Sequence, residues 1–151
     1  MFSGASRRIA YVGDNKVFKL PKVPVISIID DDQSVRDAME SLVRSLGYAA
    51  ASFASAEEYL RSDRVGDSSC LITDLRMPGM SGADLQDLMI ADGYATPIIF
   101  MTASRDEEVR MRVLNAGAIG FLRKPIDDRS LIECLKDALR GRRPHRGTTN
   151  P

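Results

Sequence analysis

From residue 23 onward the apolar positions alternate between short unbroken runs and helically spaced stretches. "VPVISII" is a β-branched run that stops on Asp30, and its continuity suits a strand buried on both faces. Val35, Met39, Leu42, Val43 and Leu46 then recur at helical spacing, and Gly47 stands where a helix-ending glycine belongs. "YAAASF" predicts a weaker strand, and Ser55 with Glu58 makes a capping-box pattern ahead of Tyr59 and Leu60. "SCLIT" predicts a third strand, ending on Asp74. Ser81 and Asp84 open a helix carrying Leu85, Leu88 and Met89. Pro97 begins a fourth strand, "PIIFM", and Ser104 with Glu107 opens a helix containing Val109, Val113 and Leu114 that closes near Gly117. "AIGFL" predicts a fifth strand, and a last helix over 128–140 puts Leu131, Ile132, Leu135 and Leu139 on one face.

Five strands alternating with five helices predict βαβ units, hence an α/β fold with a mainly parallel sheet and helices on both sides. In such sheets a ligand sits beyond the carboxyl ends of the strands, where the strand order reverses. Residues 1–22 show no sustained period and carry five basic residues against one acid. A short strand around Ile9–Val12 is expected there, within an N-terminal extension. The organisation expected is therefore an extension over 1–22, one domain over 23–140, and a basic C-terminal tail or truncated linker over 141–151.

Composition narrows the functional classes. The chain of 151 residues is long enough for one domain with a proper core. Its 21 Lys plus Arg balance 21 Asp plus Glu, so overall charge points to neither a nucleic-acid nor a membrane partner. The arginines after residue 139 read as a solvated linker, and direct nucleic-acid binding is not expected of this chain. Cys70 and Cys134 form no metal-like pair and are expected as buried, reduced thiols. With no membrane-length apolar run and no apolar N-terminal stretch, a cytoplasmic location is expected.

The chemistry gathers at the strand ends. Asp30, Asp31 and Asp32 follow the first strand and Asp74 ends the third. Thr102 and Ala103 follow the fourth, and Lys124 and Pro125 the fifth. Two like charges 4 Å apart cost about 4 kcal/mol at an effective dielectric near 20. Converging carboxylates therefore call for a cation, and an oxygen-only set suits Mg²⁺, which takes one or two carboxylates plus a phosphate oxygen. A phosphoryl group would answer the metal, the amine and the hydroxyl together, leaving one carboxylate free as nucleophile to form an aspartyl phosphate. Asp32 is expected to cap the first helix.

The motifs "IIDDD", "LITDLRMPGMSG", "MTAS" and "FLRKP", in this order and spacing, resemble the receiver domain of bacterial two-component response regulators, over about residues 23–140. "TDLRMPGMSG" most resembles the FixJ-type branch. The resemblance implies the flavodoxin-like (CheY-like) sheet with strand order 2-1-3-4-5. It further implies Asp74 as phosphoacceptor, Asp31 as direct metal ligand and Asp30 as the acid holding the metal through water. The Arg76 backbone carbonyl would be the third protein ligand. Thr102 would be the switch hydroxyl, Lys124 the amine that pairs with the phosphoryl group, and Phe121 the aromatic whose rotamer follows the state. Pro125 resembles the family's cis proline. The resemblance also implies that the side chains of Arg76 and Ser104 occupy positions that in this family flank the acceptor and tune the phosphoryl lifetime.

The implied partners are a sensor histidine kinase and an effector or output domain. A second copy is a further partner, docking on phosphorylation at the face of the last two helices or beside the first. The chain is expected to act as a stand-alone receiver or as the regulatory domain of a transcriptional regulator, catalysing only its own phosphorylation and dephosphorylation. His145 is not expected as a phosphodonor, since that role needs a histidine presented on a helical bundle. Two other readings compete. An aspartyl-phosphate phosphohydrolase would want an acid two residues after its nucleophile, where this chain has Arg76. An unphosphorylated interaction module would have no need of the five functional positions.

Overall fold

The computed structural model describes residues 9–12, 16–19 and 22–141; the stretch from Arg142, with His145, lies outside the described residues. Strands β1 (Ile9–Val12) and β2 (Lys16–Lys19) pair antiparallel as a hairpin, with Val12 opposite Lys16. The expected strand at Ile9–Val12 is present, and its partner at Lys16–Lys19 was not anticipated.

The remaining elements run β3 (Val25–Ile29), α1 (Gln33–Ser45), β4 (Ala49–Phe53), α2 (Ala56–Arg61) and β5 (Cys70–Asp74). They continue with α3 (Gly82–Ala91), β6 (Ile98–Thr102), α4 (Glu107–Asn115), β7 (Gly120–Arg123) and α5 (Asp128–Leu139). The five strands β3 to β7 form one parallel sheet in the order β4-β3-β5-β6-β7. Numbered within that sheet this is the expected 2-1-3-4-5. The order reverses between β3 and β5, so the crevice lies between Asp30 and Asp74.

The period of two along each strand sorts the core into two layers. Ile26, Ile28, Cys70, Ile72, Ile99 and Met101 pack with Met39 and Val43 of α1 and Leu131, Leu135 and Ala138 of α5. Ile29, Leu71, Ile98 and Phe100 pack on the other face with Tyr59 of α2, Leu85 and Met89 of α3, and Val113 of α4. Strands β3, β5 and β6 are buried along their whole length, while the edge strand β4 is mostly half-buried.

Helix starts follow the sequence with two corrections. Asp32 caps α1 by accepting from the Ser34 N–H, and Ser81 caps α3 by accepting from the Asp84 N–H. Ser55 caps α2, but Glu58 reaches the Ala54 N–H at 3.2 Å rather than that of Ser55 itself. The cap of α4 is Asp106, not Ser104. The carboxylate of Asp106 accepts from both Glu108 and Val109, and a negative group at a helix N-terminus is favoured by the dipole. Ser104 instead accepts from the Asp106 N–H at 3.2 Å. Cys70 and Cys134 are both free; Cys70 is buried as expected, Cys134 only partly.

Candidate functional site

Asp30 remains strand-like, its N–H donating to the Phe53 carbonyl at 3.2 Å. Its residue surface is 0% exposed, and its carboxylate accepts from the Asp32 N–H at 2.9 Å. Arg36, one turn into α1, donates to the Asp30 carbonyl at 2.6 Å and ties the acidic turn to the helix. Asp31 between them is exposed.

Asp74 is the last residue of β5 and is buried, with its Oδ1 facing the Arg76 N–H at 3.3 Å. Lys124 follows β7, and its Nζ donates to Asp30 Oδ2 at 2.7 Å and to Asp74 Oδ2 at 3.0 Å. The Lys124–Pro125 peptide is cis. A bond from the Lys124 N–H to the Thr102 carbonyl at 2.8 Å holds the ends of β6 and β7 together. Thr102 is buried, and its hydroxyl accepts from the Ser104 N–H at 2.9 Å. Ala103 beside it is exposed.

Carboxylate oxygens of Asp30, Asp31 and Asp74 lie within 4.8 Å of one another. Two of these acids, Asp30 and Asp74, share the Lys124 ammonium, and Asp31 lies beside them. Burial pushes the Asp74 carboxyl above its ordinary range; the Lys124 hydrogen bond opposes this and the Asp30 charge adds to it. Burial also works against the Lys124 ammonium, but its bonds to Asp30 and Asp74 prevail and raise its pKa. The lysine is therefore held charged between two acids.

The turn after Asp74 is braced from outside. Glu57 of α2 accepts from the Met80 N–H at 2.9 Å, and this bond holds its carboxyl below the ordinary range. Gly82 donates to the Leu75 carbonyl at 2.9 Å, and a Cβ placed on it would stand 2.4 Å from the Asp74 carbonyl oxygen. Only glycine admits that approach. The Arg76 side chain leaves the acids and donates to Asp106 Oδ2 at 2.9 Å. Phe121 is half-buried on β7, with the Arg110 guanidinium 5.7 Å from its ring centroid.

The structure therefore brings Asp30, Asp31, Asp74 and Lys124 into one cluster, with Thr102 at the end of the neighbouring strand. Arg36, Glu57 and Asp106 were not anticipated. Asp106 had a local signal, an acid directly ahead of "EEV"; Arg36 and Glu57 act through tertiary contacts that no short pattern announces.

Comparison with known proteins agrees on one family. The family model described as "Response regulator receiver domain" matches residues 26–136. The response regulator protein TodT of Pseudomonas putida is 38% identical over 119 residues, covering 79% of this chain and 52% of TodT. The transcriptional regulatory protein FixJ of Azorhizobium caulinodans is 34% identical over 128 residues, covering 85% of this chain and 60% of FixJ. Among solved structures, the response regulator StyR superposes with a TM-score of 0.73 at 38% identity, covering 78% of this chain and 60% of StyR. The chain thus spans about half the length of the curated relatives it matches. Among the described residues no helix is long and apolar enough to cross a membrane.

Proposed function

The chain belongs to the response regulator receiver family, and on that premise we propose that Asp74 accepts a phosphoryl group from a sensor histidine kinase. The observation that carries this reading is the gathering of three carboxylates at the sheet's switch point, two of them bonded to one lysine.

An oxygen of the Asp74 carboxylate attacks the phosphorus of a phosphohistidine. A P–O bond forms, the P–N bond breaks, and the donor nitrogen keeps the electron pair and takes a proton from solvent. Lys124, held as an ammonium, meets the charge on the transferring group's oxygens. The Thr102 hydroxyl, fixed by the Ser104 amide, turns toward the phosphoryl oxygens once they are present. Phe121 then moves into the space Thr102 leaves, and the face of α4, β7 and α5 changes shape.

Magnesium fits the acids. Three carboxylate oxygens within 4.8 Å of one another form an oxygen-only donor set of the kind magnesium takes. Asp30, Asp31, Asp74 and the Arg76 carbonyl would hold the ion. When bound, it supplies positive charge that offsets the acids and the phosphoryl oxygens.

The names of the relatives support reading this receiver, over 23–140, as the regulatory domain of a transcriptional regulator; a cytoplasmic location and an output domain, another effector or a second copy as downstream partner belong to the same proposal. The test is intact-mass spectrometry after incubation with Mg²⁺ and a small acyl-phosphate donor. Wild type should gain one phosphoryl group and Asp74→Asn none. No gain in a folded wild type would leave an unphosphorylated interaction module as the better reading.

A further inference from the structure

Arg76 belongs to two places at once. Its main-chain N–H faces the Asp74 carboxylate at 3.3 Å, while its guanidinium lies on Asp106 at 2.9 Å. Asp106 is also divided: Oδ1 accepts from the Glu108 and Val109 amides at the start of α4, and Oδ2 accepts from Arg76. The pair is exposed, with side-chain exposures of 60% and 36%. An exposed single-bond ion pair contributes little and is readily exchanged. A phosphoryl group on Asp74 adds nearly two negative charges and three strong acceptor oxygens beside the Arg76 backbone. A guanidinium fork matches such oxygens better than one carboxylate oxygen already flanked by a helix cap.

Building on the proposed phosphorylation of Asp74, we infer that Asp106 is a positioning residue that holds Arg76 in reserve, and that Arg76 passes from Asp106 to the phosphoryl group when Asp74 is modified. Asp106 thereby competes with the phosphoryl group for one cation. The exchange also removes a bond between the acceptor loop and the first turn of α4.

Asp106→Asn separates capping from competition, because asparagine caps a helix as well as aspartate does. The probe is beryllofluoride with Mg²⁺, which binds an aspartate carboxylate as a phosphoryl mimic, followed by ¹⁹F NMR titration. Asp106→Asn should bind it about two- to fivefold more tightly than wild type, the factor that corresponds to releasing one exposed ion pair. In an Arg76→Gln background the same substitution should change nothing, since no cation is left to release. A merely structural role for Asp106 would give the same effect in both backgrounds, or a weakening in each, and either would overturn the inference while leaving Asp74 as acceptor. No binding by wild type would instead remove the reading of Asp74, and this inference with it.

Discussion

The two ends of the central sheet handle polar groups in opposite ways. Toward the amino ends, Asp67 is one carboxylate with two cations, Lys22 at 2.8 Å and Arg64 at 2.8 Å. Beside it the Ser68 hydroxyl joins Ser27 at 2.6 Å, Tyr59 at 3.3 Å and the Arg64 carbonyl at 2.7 Å. Every group there has its partner, and the bond to Lys22 holds the Asp67 carboxyl below its ordinary range. At the carboxyl ends three carboxylates gather around a site where one ammonium bonds two of them, and burial drives Asp74 the other way. One end pairs each charge and lowers its own free energy. The other holds more acids than cations, as the proposed reaction requires.

Four experiments sharpen that contrast, each by chemical or thermal unfolding in the presence of a chelator. The largest effect is expected from Lys124→Met. Removing one member of a buried ion pair costs about 3 kcal/mol at the low end of the range, which suits a lysine that is part-exposed. Repeating the measurement with magnesium in place of the chelator should return part of that loss. Next comes Ser68→Ala, which strips the buried Ser27 and Tyr59 hydroxyls of a partner and should cost about 1–2 kcal/mol.

The third experiment compares signs. Asp74→Asn should stabilise the protein at neutral pH by about 1 kcal/mol, because it removes a buried charge set against Asp30. Asp67→Asn should destabilise it by up to about 1 kcal/mol. Equal signs at the two ends would refute the contrast. The smallest effect is in pH. A carboxyl lowered in the folded state contributes stability above its ordinary value of 3.8 and loses it as pH falls through the folded value. The gap between wild type and Asp67→Asn should therefore be constant near neutrality and close below about pH 4.

Most of the fold was legible because each strand is a short apolar run ended by a polar residue. The helices carry their own caps, as with Asp32 and Ser81. The acids and Lys124 were legible because each lies within two residues of the carboxyl end of an apolar run. What local pattern could not decide was competition between neighbours. "SRDEE" offers two caps, and the carboxylate of Asp106 prevailed over the hydroxyl of Ser104. Nor could it give Glu57, whose partner Met80 lies 23 residues on, or Arg36, whose contact with Asp30 exists only once α1 folds back over the turn.

Where Gly82 meets the Asp74 carbonyl, the first turn of α3 approaches β5 by main chain on both sides. Leu85 and Met89 pack on the sheet further along α3, and its outward side chains take no part in that approach. The outward face of α3 can therefore change without altering how the helix meets Asp74. At that contact the fold relies on a residue with no side chain.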